Sequence, residues 1–249
     1  GRGTDLKILD QWIKSNTKTI NELAAAVFAS EAPRITDFFT EDQIDIASAK
    51  KGEVIFNNRC AKCHGNYDKA WSQPGSEFLT KKEQIKTTEV RYKEQTKVVD
   101  VGTDPNRYLG MKSLEKLNKL KIAKEYGIQH IAQKGYVPPP LVGIWARWPY
   151  FHNNSAPNLC AVLTAASQRP KSYYSGEAND PRKDFDLDCN GYPLGNKTPQ
   201  AWKTAEHLYD TSKEGLRNTG HDEGIFLEKG KEILTAEDKK DLIRFLQTL

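Results

Sequence analysis

The sequence has little methionine, little cysteine and no long hydrophobic run. Met111 is the only methionine, and there are four cysteines in 249 residues. No apolar stretch approaches the roughly eighteen residues that a membrane span needs. Charge of one sign is also scarce, because 37 basic residues are interleaved with 33 acidic ones, for a formal net charge of +4. This balance argues against nucleic acid as the main partner, and we expect no membrane span.

The first residues lack both an initiator methionine and a hydrophobic signal core. We interpret the chain as a mature or trimmed product whose signal peptide has been removed, and we expect it in the periplasm or otherwise exported. The cysteines agree with this location. Cys160 and Cys189 stand far from the other two and are expected to form a disulfide, which indicates an oxidising compartment.

Apolar periodicity predicts helices and almost no strands, so we expect a mainly α protein. The predicted helices are two over 5–31, one from Asp45 into the motif at 60–64, an amphipathic one over 111–124, and a C-terminal one capped by Thr235 with Asp238. A polar stretch from about 65 to 106, a proline-rich loop over 136–159 and a long loop over 169–200 separate them. We predict an N-terminal helical extension over 1–45 and one domain over 46–249.

The most informative short motif is Cys-Ala-Lys-Cys-His, from Cys60 through Cys63 to His64. A structural zinc site takes four ligands, usually from two such hooks, and Cys160 and Cys189 form no second hook. A thioredoxin-like redox pair should follow a strand in a βαβ setting, whereas this motif follows a helix. Covalent haem attachment accounts for all three residues, because two thiols one helical turn apart can add to the two haem vinyl groups while the histidine ligates the iron.

A second axial ligand would have to come from elsewhere in the chain. Met111 continues an apolar helical stripe, so a core role is at least as plausible as ligation. His130 and His207 look like ordinary helix residues. His221 differs, because "NTGHDEG" places it between glycines in a flexible segment that could present its side chain to a pocket.

The chain resembles the haem domains of the bacterial di-haem cytochrome c peroxidase superfamily, especially the branch that includes rubber oxygenase. The resemblance spans about residues 46–249. It rests on "CAKCHG" at 60–65, "PPLVGIWARWPYFHNNSAPNL" at 139–159, "NTGH" ending at His221 and "LTAEDKKDLIRFLQTL" at 234–249.

The resemblance implies a cytochrome c-like helical fold around one covalently bound haem c, with "PYFHN" packed near it. Related peroxidases often ligate the iron with a methionine about fourteen residues beyond the histidine of that motif, where this chain has Ala166. The rubber oxygenase branch uses the late histidine, which corresponds to His221. We therefore expect His64 and His221 as metal ligands, with Met111 second. The expected haem contacts are Cys60, Cys63, His64, Phe56, Trp145, Arg147, Trp148, Phe151 and His152, with Arg147 suited to a propionate.

Three functions are compatible with these residues. The first is a mono-haem carrier that passes electrons between periplasmic redox proteins. Enzymes of the family that the chain resembles carry two haems, whereas this chain has one Cys-x-x-Cys-His motif and matches their electron-transfer half. The second is a haem peroxidase or oxygenase with an open iron position, in which His152 or Glu223 would act as acid or base. The third is a haem sensor or the electron-entry subunit of a larger complex, docked through residues 1–45.

Overall fold

A computed structural model describes residues 5–92 and 97–249. Residues 1–4, which begin the predicted extension, and residues 93–96, within the predicted polar stretch, lie outside the described residues.

The described helices and strands are short and are separated by long connections. The helices are α1 (Leu6–Ser15), α2 (Thr17–Ala29), α3 (Ile46–Arg59), α4 (Ala61–His64), α5 (Lys81–Gln84), α6 (Asn106–Met111), α7 (Lys121–Glu125), α8 (Leu159–Val162) and α9 (Ala236–Leu246). The strands are β1 (Asn66–Lys69), β2 (Thr87–Arg91), β3 (Ser172–Tyr174), β4 (Leu208–Asp210), β5 (Leu227–Glu228) and β6 (Lys231–Glu232). They pair as three antiparallel two-stranded sheets, β1 with β2, β3 with β4 and β5 with β6.

The prediction of a mainly α, cytochrome c-like helical fold is wrong. Of the described residues, 43% lie in α or 3₁₀ helices and 11% in strands or isolated β-bridges, so the architecture is mixed. The strands contain only two to five residues, which is too short for a clear alternation of apolar and polar side chains. The amphipathic helix predicted over 111–124 is also interrupted. Helix α6 ends at Met111, a 3₁₀ helix spans Lys112–Lys119, and Leu120 is extended, with ψ 148°, before α7 begins.

The two N-terminal helices and the C-terminal helix are confirmed. Thr235 and Asp238 form the predicted capping box of α9. Helices α1 and α2 contain no buried residue, whereas Ile35, Phe39 and Ile44 are buried in the core. The domain boundary at residue 45 stays a prediction. None of the helices within the described ranges is long and apolar enough to cross a membrane.

Helices α3 and α9 form the centre of the core. A Cβ atom at Gly52 would lie 2.0 Å from the main-chain oxygen of Asp241, so glycine permits the close approach of the two helices. The hydroxyl of Ser48 donates a buried hydrogen bond to the Asp241 carboxylate. The rings of Phe56 and Phe245 pack with their centres 5.1 Å apart. Helix α4 follows α3 after one residue, so the packing of α3 on α9 fixes the position of the cysteine motif.

The predicted disulfide between Cys160 and Cys189 is confirmed. It joins helix α8 to the long loop that contains Cys189, and the separation along the chain is 29 residues. Cys60 and Cys63 are free and half-buried.

Candidate functional site

The three residues of the cysteine motif form one helical turn. The N–H groups of Cys63 and His64 donate to the carbonyl oxygen of Cys60 at 3.0 and 2.9 Å. Residues three and four apart lie on the same face of a helix, so the two sulfurs and the imidazole share a side. Gly65 ends the turn at φ +79°, and a Cβ there would lie 2.9 Å from the carbonyl oxygen of Arg91. The chain can therefore turn directly from α4 into β1.

His64 is held by the proline-rich loop. Its Nδ1 lies 2.9 Å from the carbonyl oxygen of Pro139, which identifies Nδ1 as the hydrogen-bond donor and leaves Nε2 without a proton. Tyr67 supports the same contact, because its hydroxyl donates to the His64 carbonyl at 2.9 Å and accepts the Leu141 N–H at 2.5 Å. Burial lowers the pKa of His64, although the bond to Pro139 acts in the opposite direction. The imidazole is thus neutral at pH 7 and oriented, as a metal ligand requires.

His221 lies opposite His64, with 6.5 Å between the ring centres and 54° between the ring planes. Its N–H donates to the carbonyl oxygen of Val101 at 2.7 Å. The preceding Gly220 adopts φ +75°, and a Cβ there would lie 2.3 Å from that same oxygen, so the segment needs glycine to reach this position. Burial, followed by the nearby His64 and Arg169, lowers the pKa of His221 to about 4. This imidazole is therefore neutral as well.

The donor set fits an iron between the two imidazoles. Two metal–nitrogen bonds of about 2 Å each, with the distance from each nitrogen to its ring centre, separate the ring centres by roughly 6 Å. The separation in the structure is 6.5 Å. Buried polar atoms are normally hydrogen-bonded, and Nδ1 of His221 is buried without a partner, as expected at a site that holds a further group. His64 and His221 would hold a haem iron, and the free thiols of Cys60 and Cys63 would hold its vinyl groups.

The cysteine thiols do not have the properties of a redox pair. Burial, together with the neighbouring Cys63, raises the pKa of Cys60 to about 12, whereas reactive cysteines have lowered values. A zinc site would need two further ligands, and Cys160 and Cys189 cannot provide them because they form a disulfide. Within 5–92 and 97–249, no group of three or more His, Cys, Asp or Glu side chains is arranged to hold a metal ion.

Phe151 connects the proline-rich loop to His221. Its ring centre lies 6.0 Å from that of His221. Phe151 adopts φ 67°, which is rare for a bulky residue, and such conformations occur at functional sites where surrounding contacts enforce them. The guanidinium carbon of Arg169 lies 4.9 Å from the Phe151 ring centre on the same side of the site.

The structure places four other predicted haem contacts in two other parts of the fold: Phe56, Trp145, Arg147 and Trp148. Phe56 is fully buried between Tyr67 and Phe245. Trp145 is buried against Phe38, Phe39 and Phe185, and its Nε1 donates to the Pro33 carbonyl at 2.7 Å. Trp148 packs on Phe185 and Tyr192. Arg147 donates to the Val142 carbonyl. The contacts of Trp145 and Trp148 therefore join the proline-rich loop to residues 33–39 and 185–192.

His152 and Glu223, which could serve an enzyme as acid or base, make local hydrogen bonds. Nδ1 of His152 lies 2.6 Å from the hydroxyl of Tyr136. The Glu223 carboxylate accepts the N–H groups of Lys229 and Gly230 in an exposed turn. Met111 is half-buried at the end of α6. The histidine that the structure places opposite His64 is His221.

Sequence reasoning missed the supporting residues of the site. The sequence predicts Pro139 only as part of the proline-rich loop and indicates no role for its carbonyl oxygen. Tyr67 and Arg169 belong to no recognisable motif. Tyr67 contacts Leu141 and Arg169 contacts Phe151, and in both pairs the two residues are well separated along the chain. The three successive prolines offered one indication, because the carbonyl groups of an ordered loop need hydrogen-bond partners.

Comparison with known proteins gives one family and two relatives. The model of the family described as RoxA-like, cytochrome c-like matches residues 135–174. The uncharacterized protein y4iM of Sinorhizobium fredii (strain NBRC 101917 / NGR234) is 28% identical over 242 residues, which cover 82% of this chain and 49% of that protein. The uncharacterized protein y4iJ of the same strain is 34% identical over 128 residues, which cover 51% of this chain and 19% of that protein. This chain therefore spans about half of the first relative and a smaller part of the second.

The matched segment contains Pro139, the loop around it, Phe151 and Arg169, which are the residues that support the two histidines. The match indicates a haem c-binding protein. It confirms the resemblance that the sequence predicted, because residues 135–174 are similar to the RoxA-like, cytochrome c-like family.

Proposed function

We propose that this chain binds one haem c covalently and transfers single electrons between redox proteins. Cys60 and Cys63 each form a thioether, in which the sulfur bonds to one carbon of a vinyl group and the thiol hydrogen goes to the other carbon. His64 and His221 would hold the haem iron. When bound, the haem supplies an iron that accepts one electron and releases it again.

The observation that carries this proposal is the opposed pair of imidazoles. The ring centres of His64 and His221 are 6.5 Å apart, and both side chains are neutral at pH 7 because burial lowers their pKa values. Two protein ligands leave no position on the iron for oxygen or peroxide. Such an arrangement favours electron transfer over an oxygenase or peroxidase reaction.

The chain would limit rearrangement during each transfer by holding both ligands firmly. The Pro139 carbonyl fixes the ring of His64, and the Val101 carbonyl fixes the backbone of His221. Phe151 packs beside His221 and keeps water from that side.

We also propose an exported location, such as a periplasm, and a redox protein as the partner. The disulfide between Cys160 and Cys189 supports this location, because disulfides persist in oxidising compartments.

The test is the optical spectrum of the reduced holoprotein with and without carbon monoxide. We expect no change on adding the gas, because two histidines saturate the iron. His221→Ala should open the iron, change the ferric and ferrous spectra and allow a carbon monoxide adduct. His130→Ala is the matched control, because the described hydrogen bonds of His130 come from its backbone to the Asn118 side chain, away from the site.

Two results would contradict the proposal. Rapid formation of a carbon monoxide adduct in the unmodified protein would show an open iron position and favour a peroxidase or oxygenase. Unchanged spectra in His221→Ala would show that this histidine is not a ligand, and Met111→Leu would then be examined in the same way.

A further inference from the structure

Arg169 is a buried cation beside the His221 segment. It is 4% exposed, and its guanidinium donates to four main-chain carbonyl oxygens. These belong to Ala161 and Thr164, both at 2.9 Å, to Val162 at 3.3 Å, and to Asn218. Three of the four carbonyls lie in or after helix α8, and Asn218 lies three residues before His221. The guanidinium thus joins α8 to the segment that carries the proposed ligand.

No carboxylate neutralises this charge by direct contact. Across the described ranges, no carboxylate oxygen lies within 4.0 Å of an Arg169 nitrogen. The nearest negative influence is Asp222, which raises the pKa of Arg169 against the stronger effect of burial. The Asp222 carboxylate is itself bonded to the N–H groups of Ala166 and Glu223, both at 2.8 Å. The four carbonyl oxygens satisfy hydrogen bonds of the guanidinium, but among the described residues its positive charge has no ion-pair partner, so it remains a source of positive potential inside the fold.

The charge lies on the same side of the site as His221. The guanidinium carbon is 4.9 Å from the Phe151 ring centre, which is 6.0 Å from that of His221. The guanidinium carbon is therefore at most about 11 Å from the His221 ring centre. Because Arg169 is buried, its charge is screened less than that of a surface arginine would be.

We propose that the buried positive charge of Arg169 sets the reduction potential of the iron by favouring Fe(II) over Fe(III). This inference rests on the proposed function. The step is a one-electron equilibrium, in which Fe(III) takes an electron from a donor protein to become Fe(II), and no proton is gained or lost at the arginine. Arg169 keeps its charge throughout the working range, since burial lowers its pKa only to about 10.

The expected size of the effect follows from Coulomb's law. An iron bound by His221 would lie about 3 Å from its ring centre, so the charge would be at most about 14 Å from the iron. At an effective dielectric constant of about 20, a unit charge at that distance changes a one-electron equilibrium about sevenfold. For a one-electron couple, a tenfold change in the equilibrium constant is about 59 mV, so a sevenfold change is about 50 mV.

The experiment is a potentiometric titration of the holoprotein and four variants, with optical spectra recorded for each. In Arg169→Gln we expect the midpoint potential to fall by about 50 mV, the sevenfold change converted, while the spectra remain those of a six-coordinate iron. Arg169→Lys should keep most of the potential, because it retains the charge but loses most of the hydrogen bonds. Asp222→Asn should raise the potential, because it removes a negative charge. Arg217→Gln is the matched control: Arg217 is exposed on the same segment, so water screens its charge and the potential should change far less.

A structural role for Arg169 would give a different result. If Arg169→Gln and Arg169→Lys lower the potential equally, or if neither changes it, the charge does not set the potential and the proposal is wrong. If Arg169→Gln does not fold, the opposite shift in Asp222→Asn and the retained potential in Arg169→Lys decide the question. Failure of the proposed function itself would appear separately, as a carbon monoxide adduct in the unmodified protein.

Discussion

Replacing Gly52 by alanine should destabilise the protein although alanine favours helices. Gly52 lies in α3 where this helix crosses α9. An added Cβ would lie 2.0 Å from the carbonyl oxygen of Asp241, 2.5 Å from its carbonyl carbon and 2.9 Å from Cβ of Phe245. Two of these atoms belong to the backbone of the opposite helix, so the clash cannot be relieved by rotating a side chain. The two helices would have to separate.

The magnitude follows from two opposing effects. Overfilling a packed core typically costs about 1–3 kcal/mol, and more where backbone must move. Alanine in a helix interior recovers about 1 kcal/mol relative to glycine. Because the clash is with backbone atoms, we take the upper end of that cost and expect a net loss of about 2 kcal/mol in the free energy of unfolding. For a chain of this size that loss lowers Tm by roughly 4–8 °C.

Thermal unfolding of the holoprotein, followed by circular dichroism, measures this effect. Gly110→Ala is the control, because Gly110 is also in a helix but a Cβ there would have no atom within 4 Å. That variant should gain up to about 1 kcal/mol. A Gly52→Ala protein that unfolds at or above the temperature of the unmodified protein would refute the close approach of α3 and α9.

Three further predictions concern other buried groups. Burial lowers the pKa of Lys69 in the folded state to about 7, whereas its value in the unfolded chain is about 10.4. Between these pH values the unfolded chain binds more protons than the folded one. The free energy of unfolding should therefore rise from pH 7 to 10. Urea unfolding at pH 7 and 9 should show this rise in the unmodified protein but not in Lys69→Met, and equal slopes would contradict it. Replacing Cys160 and Cys189 by serine should cost about 3.5 kcal/mol, because the disulfide closes a loop with a sequence separation of 29 residues; a Tm unchanged by the double substitution would count against this. Tyr67→Phe should cost about 1–3 kcal/mol in urea unfolding, because the Leu141 N–H and a carbonyl in the haem-binding motif lose their partner; a variant as stable as the parent would show that these bonds contribute nothing.

Local sequence was sufficient to predict the elements whose determinants lie within a few residues. Thr235 and Asp238 cap α9 as expected, because a capping box involves only the first turn of a helix. Cys60, Cys63 and His64 form one turn, because their spacing matches the helical period. These cases need no knowledge of the rest of the fold.

The secondary-structure class could not be predicted in this way. The six described strands are too short to show a period, and four of them depend on a partner strand from another part of the chain. Strand β1 pairs with β2 some twenty residues later, and β3 pairs with β4 more than thirty residues later. The long apolar stripe expected over 111–124 was likewise divided by the extended Leu120. The prediction of a mainly α protein failed because it counted only local patterns.

The sequence by itself determined that Cys60, Cys63 and His64 share one helical turn, and it allowed Cys160 to pair with Cys189. Only the tertiary structure decided that His221 lies opposite His64 and that a buried arginine stands near it. The physical reason is that a motif of adjacent residues is shaped by one helical turn. The two histidines are 157 positions apart along the chain, so their separation depends on every contact that folds the intervening chain.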